Sequence, residues 1–432
     1  MKLISTATFL NLAELLALLL AAPFLLFPAL WSPGVTVSLT LLLALAAMRW
    51  VVRRELWPAT PFNAALFLFM LMLPVAVWAS AIPDLTWPKL LGILLGLFFF
   101  RLAGLGIRDQ RTLTWGLGVF IAAGGAILVT GALNTGWSNK VPLLQPLLQQ
   151  LPKLHIALPG SAGQAINANQ LAGAALLYLP VAAALAIGWW QEQRRWLAVS
   201  ALAGAGAIAG LLLLTQSRSG WLGGAGGLGA LVITLGLTSR RRRPRQAARW
   251  LLLGLILTLG VTLAALGPQL SASLWPSSAD QGGGVSLSGR VEIWSRALYA
   301  IQDFPFTGIG LGTFRQVVHL LYPLFSMSPD SDFAHAHNMF LQVAVDIGLP
   351  GLIAYLALLW VAAGVAWQAA RHGPARLQAL SIGLLSALIG LHIYGMTDAL
   401  ALGSKPSVAF WMILGLLAAL ARLGLHNRSS EA

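Results

Sequence analysis

The sequence predicts an all-α, polytopic membrane protein with about twelve transmembrane helices. Two observations indicate this fold class. Apolar residues make up 58% of the 432 residues, and charged residues only 9%. The apolar residues also fall in successive runs of roughly 20, the length that an α-helix needs to cross the hydrocarbon core of a bilayer. We expect a single integral membrane domain over residues 1–432.

The apolar runs form two groups, separated by a long polar segment. The first group lies near residues 8–30, 34–52, 62–82, 88–105, 113–133, 168–190, 196–215, 219–238 and 250–268. The second group lies near residues 338–368, 377–397 and 407–425. The first run is too long for a signal peptide, and Pro23 stands where a cleavage site needs a small flexible residue, so we interpret it as a retained helix. Glycines of 203–210 and 220–229 have the spacing of helix-packing surfaces.

The positions of the 27 lysines and arginines predict the orientation of these helices. If the N-terminus is cytoplasmic, most of them fall in cytoplasmic loops: Arg49, Arg53, Arg54, Arg101, Arg108, Arg111, Arg194, Arg195, the arginines of 240–249, Arg371, Arg376, Arg422 and Arg428. Both termini are therefore expected in the cytoplasm. Because topology accounts for this charge, the net charge of +14 does not indicate a nucleic-acid partner. The absence of cysteine excludes a thiolate nucleophile.

Two extracytoplasmic loops, residues 134–167 and 269–337, are long enough to fold. Within the larger loop, four apolar residues repeat at helical spacing, which predicts a short amphipathic helix lying on the membrane surface: Ile293, Ala297, Ala300 and Ile301. The glycines that follow in 305–314 resemble a dinucleotide-binding fingerprint, but no strand precedes them and no βαβ unit surrounds them. We expect these glycines to allow tight turns and close backbone packing instead.

Several basic residues lie on the outer side, where they are normally scarce. They are Lys89, Lys140, Lys153, Arg218, Arg290, Arg296, Arg315 and Lys405. Arg218 stands in a connection so short that its side chain must lie at or just below the membrane surface, where it needs anionic or carbonyl partners. A snorkelling arginine neutralised by lipid phosphate is the alternative. Arg290 falls in the first turn of the predicted amphipathic helix, a place that disfavours positive charge and therefore indicates a ligand.

The larger loop ends with Asp330, Asp332, His335 and His337, immediately before the tenth run. Three interpretations remain open for this cluster. The histidines and carboxylates are suitable ligands for a cation, although a His-x-His pair alone is a weak signal. The histidines could instead bond to the loop backbone. In the third interpretation, which the nearby arginines favour, a histidine acts as general base, because its unperturbed pKa allows it to take a proton from a hydroxyl nucleophile at neutral pH.

The order of these motifs resembles the O-antigen ligase family and its relatives, over roughly residues 160–400. The matching elements are Arg218-Ser-Gly220 after a span, Ser288-Gly-Arg290 followed by Trp294, the glycines of Pro305-x-x-Gly-x-Gly-x-Gly-x-Phe314, His335-x-His337-Asn338, and Gly348-Leu-Pro-Gly351. The motif set is fairly specific for the superfamily. O-antigen polymerases and protein O-oligosaccharyltransferases share it.

The resemblance implies transfer of an O-antigen glycan from undecaprenyl diphosphate to a sugar hydroxyl of lipid A-core, at the periplasmic face of a bacterial inner membrane. It implies His337 as general base, inversion at the anomeric carbon, and binding of the donor diphosphate by Arg218 and Arg290. No cofactor and no metal ion is implied, because the arginines supply the positive charge. The resemblance also suggests supporting residues, namely His335, Arg296, Asn338, Asp398 and Lys405. The expected partners are the lipid-linked donor, lipid A-core and membrane lipid.

Two other functions remain as alternatives. An O-antigen polymerase of the same superfamily would differ only in its acceptor, whereas protein-glycosylating relatives usually carry a further region after the last span, and only residues 425–432 follow here. A transporter for lipid-linked glycans belongs to a different class. Against it, the intramembrane carboxylates are few, chiefly Glu14 and Asp346, and we expect no pair of broken helices at equivalent positions in two halves.

Overall fold

The computed structural model describes residues 6–137, 140–150, 165–239, 241–273, 287–325 and 333–429 of the protein. These residues are almost entirely helical, and ten of the helical spans are long and apolar enough to cross a membrane. The predicted fold class, an all-α polytopic membrane protein, is confirmed. Residues 305–314, which we call the glycine-rich loop, lie with two short helices between the ninth and tenth predicted spans.

The helices follow the predicted apolar runs closely. The first half of the chain contains α1 (Thr6–Leu26), α2 (Ser32–Arg53), α3 (Asn63–Trp78), α4 (Pro83–Gly106), α5 (Gln110–Asn134), α6 (Gln145–Gln150), α7 (Ala168–Leu176), α8 (Leu179–Gln191) and α9 (Arg195–Leu214). The second half contains α10 (Arg218–Thr238), α11 (Arg242–Ser273), α12 (Leu287–Asp303), α13 (Phe314–Leu321), α14 (Met339–His372), α15 (Ala375–Tyr394) and α16 (Val408–Ser429). Two short parallel strands, β1 (Thr135–Gly136) and β2 (Ile166–Asn167), pair with each other. Short 3-10 turns occur at Pro28–Leu30, Pro142–Leu144 and Lys405–Ser407.

Two of the predicted spans are interrupted. The sixth consists of α7 and α8, and Pro180 stands in the first turn of α8. The tenth is α14, which leaves the helical conformation at Ile347 and at Gly348, whose φ is +72°. We expected no pair of broken helices from the sequence. Because the sixth and tenth spans are not equivalent positions in two halves, the interruptions do not form the repeat pattern of a transporter.

Several glycines of α10 pack against a neighbouring helix, whereas those of α9 do not. The backbones of α10 and α15 come close enough that a Cβ atom on Gly223 would lie 2.7 Å from the carbonyl oxygen of Gly390. The packing role predicted for 220–229 is therefore confirmed for this position. The same prediction for 203–210 is wrong, since Gly204 and Gly206 in α9 have open space where a Cβ atom would stand.

The amphipathic helix is present as α12, but its apolar face is not left for lipid. Ile293, Ala297 and Ala300 are fully buried in a small hydrophobic core that also contains Phe314 of α13 and Val345 of α14. We predicted that lipid covers the apolar face of this helix, and that prediction is wrong, because α13 and α14 cover it. A sequence shows that a helix face is apolar, but not whether protein or lipid covers it.

One end of the bundle is closed by a buried ion-pair network. Arg49 Nε lies 2.9 Å from Glu14 Oε1, and Arg101 Nη1 lies 3.1 Å from Glu14 Oε2. All three side chains are at most 5% exposed. Arg49 and Arg101, which the orientation argument places in loops, thus lie inside α2 and α4 and are paired. We call this the Glu14 end, and the opposite end, where α14 begins, the histidine end.

Candidate functional site

The histidine end brings together segments that are far apart in the sequence. The side chain of Asn338 caps α14, accepting from Phe340 N at 3.0 Å, and its Nδ2 donates to Met396 O at 3.0 Å. The connection from α15 to α16 is thereby joined to the start of α14. Ser219, at the start of α10, lies 2.7 Å from Thr397 through the two hydroxyl oxygens. The site is therefore built from the ends of α10, α12, α14 and α15.

The glycine-rich loop, residues 305–314, fills the interruption of α14. Ile309 N donates to Val345 O at 2.8 Å, which satisfies a carbonyl group that the broken helix leaves without its usual partner. Gly308 has a φ of +66°, and a Cβ atom there would lie 2.5 Å from Val345 O. The predicted role of these glycines, tight turns and close backbone packing, is confirmed.

Buried hydrogen bonds through Asp346 and Gln342 link this loop to the histidine segment. Asp346 Oδ1 accepts from Gly312 N at 2.9 Å and from Gln342 Nε2 at 2.8 Å. The other end of the same amide, Gln342 Oε1, accepts from Ala336 N at 2.7 Å, between the two histidines. The backbone of the His335–His337 segment is thus fixed by α14 itself. A rigid support of this kind is what a catalytic side chain needs.

His335, His337 and Asp398 form the centre of the site. Asp398 Oδ1 lies 3.5 Å from His335 Nε2 and 3.5 Å from His337 Nδ1. The two imidazole rings meet edge to face, with their centres 4.5 Å apart. Asp398 is 1% exposed and its Oδ2 has no hydrogen-bond partner, nor has His337 Nδ1. The cluster therefore holds polar atoms whose bonding capacity is unused.

The charges of these groups differ because their surroundings differ. Burial lowers the pKa of His335 to about 4, a shift that the Asp398 carboxylate opposes and that His337, Lys89 and Arg290 reinforce. Burial raises the pKa of Asp398, but His337 and His335 outweigh it, so this pKa lies below its usual value. At neutral pH the cluster therefore contains an ionised Asp398 and an uncharged His335.

The backbone of His337 is held in an uncommon conformation. Its φ is +48°, in the left-handed region that non-glycine residues rarely adopt. Trp294 Nε1 donates to His337 O at 3.2 Å, and His337 N donates to His335 Nδ1 at 3.2 Å. These bonds compensate for the strain and determine where the imidazole stands. Trp294 therefore helps to hold the histidine segment in place.

The two arginines predicted to bind diphosphate lie at this end. Arg290 is close enough to His335 and Tyr394 to influence both electrostatically. Its Nε is buried without a hydrogen-bond partner. Arg218 is the first residue of α10 and is exposed, and the neighbouring Ser219 contacts the connection that contains Asp398. An anion could therefore bind to Arg290 Nε and to the exposed Arg218.

The supporting residues suggested by the resemblance separate into two groups. Asn338 and Asp398 belong to the cluster, as described above. Arg296 is tied to its own helix and the following loop, with Nε 2.8 Å from Pro323 O and Nη2 3.3 Å from Glu292. The ammonium group of Lys405 lies over the Phe27 ring, 4.0 Å from its centre. Arg296 and Lys405 thus have local partners that occupy their charged groups.

Sequence reasoning missed three residues around this cluster. Tyr394 donates from its hydroxyl to Asn169 O at 2.9 Å and lies close to Asp398. Lys89, for which the sequence indicated no role beyond its place on the outer side, has its carbon chain against Gly312. Gln342 joins the histidine segment to Asp346. Their apolar surroundings in the sequence give no signal, although a Gln and an Asp four residues apart in one run do predict a shared helix face.

His335, His337 and Asp398 also have the spacing of metal ligands. Their candidate ligand atoms all lie within 4.8 Å of one another, and the cluster offers two imidazole nitrogens and a carboxylate oxygen. Asp330 and Asp332, which were considered as further ligands, lie outside the described residues. These three side chains could therefore hold a divalent cation, in which case the histidines would act as metal ligands and not as a base.

Comparisons with known proteins agree with the part of the chain that forms this site. A family model described as O-antigen ligase matches residues 203–356, which include α10, α12, the glycine-rich loop, the histidines and the interruption of α14. An O-antigen ligase from Pseudomonas aeruginosa strain PAO1 is 28% identical over 270 residues. The alignment covers 61% of this chain and 59% of that protein, so the chain spans about three fifths of the length of this relative.

Proposed function

We propose that this chain, which resembles the O-antigen ligase family over residues 203–356, transfers an O-antigen glycan from undecaprenyl diphosphate to a sugar hydroxyl of lipid A-core. The observation that carries the proposal is the meeting of His337 and Asp398 with Arg290, whose Nε is buried and unbonded. A base and an anion-binding group at one end of a helical bundle suit a lipid-linked diphosphate donor. We place this end at the periplasmic face of the inner membrane, with both termini cytoplasmic, because the remaining loops are basic.

His337 is the general base of the proposed reaction. Its Nδ1 faces Asp398, so Nε2 is the ring nitrogen left to face a substrate. The carboxylate stabilises the imidazolium that forms when Nε2 takes the proton of the acceptor hydroxyl. With a pKa of about 4, His335 stays uncharged at neutral pH, so it does not compete for that proton and serves to orient His337.

The arginines act on the leaving group. As the acceptor oxygen forms its bond to the anomeric carbon, the bond from that carbon to the phosphate oxygen breaks and undecaprenyl diphosphate departs with an additional negative charge. Arg290 and Arg218 bind this charge through charge-assisted hydrogen bonds, in the role that a divalent metal has in many nucleotide-sugar enzymes. Direct displacement from the opposite side inverts the configuration at the anomeric carbon.

Transfer in vitro tests the proposal. Purified protein would be incubated with lipid-diphosphate-linked glycan and lipid A-core, and the products separated by gel and mass spectrometry. We expect glycan on lipid A-core with the wild type, and none above background with His337→Ala, Arg218→Ala or Arg290→Ala. His319→Ala, which changes a histidine of α13 that packs on Phe333, is the matched control and should remain active.

Other products would contradict the proposal in distinguishable ways. Longer carrier-linked glycan without transfer to lipid A-core would identify a polymerase. Absence of both products, with lipid-diphosphate binding retained, would favour a carrier for the same lipid.

A further inference from the structure

A cavity of about 380 Å³ lies at the Glu14 end, where α10 ends, α11 begins and α14 ends. Its lining includes Thr238, Arg245, Arg249, Trp367 and Arg371, together with His372. The histidine site lies at the opposite ends of α10 and α14, so this cavity is separate from it by the length of the helices. Nothing in the proposed transfer reaction uses its residues.

The charge of the cavity is not balanced by the protein. Among the described residues, Arg245, Arg249 and Arg371 form no ion pair with a carboxylate. No Asp or Glu occurs in 237–257 or in 358–376, the segments that surround the cavity. Arg245 uses Nε and Nη2 to hold Ser239 O, at 3.1 and 2.8 Å, which leaves Arg249 and Arg371 as the groups open to a ligand. An anion is therefore the missing partner.

The surroundings of the cavity indicate which anion it binds. On α11, directly after Arg249, Trp250 is 70% exposed and Leu251 57% exposed. On α14, Trp360 is 82% exposed, two turns before Trp367. A phosphate held by the arginines would thus have apolar helix surface beside it, as the headgroup and acyl chains of a phospholipid require. A free phosphate would gain nothing from these apolar faces.

We propose that this cavity binds the phosphate headgroup of an acidic membrane phospholipid and that the lipid joins α10, α11 and α14. Arg249 and Arg371 bind the phosphate, and the chains lie along the exposed apolar residues of α11 and α14. The bound lipid neutralises charges that otherwise repel one another at the junction. The proposal is independent of the transfer reaction and would stand if that reaction were disproved.

Thermal unfolding of the full chain in detergent tests the proposal. The delipidated wild type would be titrated with phosphatidylglycerol, with phosphatidylcholine, and with inorganic phosphate at the same phosphate concentration. We expect phosphatidylglycerol to raise the unfolding temperature by at least ~3 °C, and the other two additions to have less than a third of that effect. An equal rise with phosphatidylcholine, or with inorganic phosphate, would overturn the assignment to an acidic lipid.

Variants locate the effect in the cavity. Arg249→Gln/Arg371→Gln should lose most of the rise, whereas Arg249→Lys/Arg371→Lys should keep most of it because the charge remains. Arg111→Gln/Arg194→Gln removes the same charge from exposed positions at the same end and should behave as the wild type. A full rise in the Arg249→Gln/Arg371→Gln protein would disprove the site.

Native mass spectrometry of the wild type gives a second readout that does not depend on a variant folding. We expect one phosphatidylglycerol per chain to survive a collision energy that removes phosphatidylcholine. Loss of both lipids at the same energy would contradict the proposal.

Discussion

The two ends of the helical bundle use the same residue types in opposite ways. At the Glu14 end, Arg49 and Arg101 bind both oxygens of one buried carboxylate, although Arg101 Nη2 is left without a hydrogen-bond partner. At the histidine end, Arg290 Nε and Asp398 Oδ2 are buried with their bonding capacity unused. Ion pairs of this kind hold helices together, whereas buried polar atoms without a partner are retained at a cost in stability. The difference indicates that the Glu14 network serves the fold, whereas the cluster of His335, His337 and Asp398 suits a ligand.

The largest expected effect is on activity at the histidine end. Asp398→Asn removes the charge that stabilises the His337 imidazolium while keeping the shape of the side chain. We expect glycan transfer to fall by about 10³-fold, within the range for loss of acid-base catalysis, with little change in the unfolding temperature. Initial rates of transfer and a thermal melt of the same sample measure both. A variant that loses stability but keeps its activity would reverse the assignment of the two ends.

The complementary change at the other end should affect stability alone. Glu14→Gln leaves Arg49 and Arg101 buried without a counter-charge, and we expect the free energy of unfolding to fall by ~3–5 kcal/mol. Transfer by the folded fraction should stay within about twofold of the wild type. Glu192→Gln is the control, because its ion pair with Arg194 is largely exposed and should contribute under ~1 kcal/mol. Unfolding in a denaturing detergent, followed by circular dichroism, gives the comparison.

Arginine substitutions in α12 compare an available guanidinium with an occupied one. Arg290→Lys keeps the charge but loses the planar fork, so we expect about a 10²-fold loss of transfer. Arg296→Lys keeps the charge beside Glu292 and should cost less than about threefold. Transfer rates at several donor concentrations would show whether the loss lies in binding or in turnover. Equal losses in both variants would remove the distinction.

The acid dependence of stability should come from the histidine end. His335 has a folded-state pKa of about 4, below its unfolded value, so the unfolded chain takes up its proton first as the pH falls. Its contribution is complete above about pH 6.5 and is lost as the pH falls from there to about 4, by up to ~1.4 kcal/mol per pH unit. Asp398, whose pKa is lowered, adds a loss in the same direction at still lower pH.

A pH series of unfolding measurements checks this expectation. In His335→Gln the slope between pH 6.5 and 4 should be reduced relative to the wild type. If the slope in His335→Gln equals that of the wild type, folding does not lower the pKa of His335.

The smallest expected effect is that of metal removal. In the proposed mechanism Arg218 and Arg290 supply the positive charge for the diphosphate, so we expect excess chelator to leave the transfer rate unchanged. A loss of activity that added divalent cation restores would instead place a metal ion on His335, His337 and Asp398, whose ligand atoms lie close enough for one.

The sequence predicts the fold well because hydrophobic length is a local property. Each of the predicted apolar runs corresponds to a helix, or in the sixth run to the two consecutive helices α7 and α8, and the glycines of 305–314 do form turns with positive φ. The partners of those helices are not local. The apolar face of α12 is covered by α13 and α14, although its sequence pattern is also that of a helix lying on lipid. Gly204 in α9 faces open space, although its spacing is the same as that of the packed glycines in α10.

The candidate site shows the same division. Arg218, Arg290 and His337 stand out because polar residues are rare in this chain and their motifs are short. Tyr394 and Gln342 do not stand out, because their contribution depends on which segments meet when the helices pack. Residues that act on a ligand break local rules and are visible in a sequence. Residues that hold them in place often obey those rules.

The order of the segments along the chain determines when the site can form. The glycine-rich loop is synthesised before the interruption of α14 that it fills, whereas Asp398, the partner of both histidines, comes after α15. A nascent chain inserted as far as α14 would have its arginines and histidines in place without the carboxylate that completes the cluster. The protein therefore gains its site only near the end of membrane insertion, and a chain that stops before α15 is complete has none.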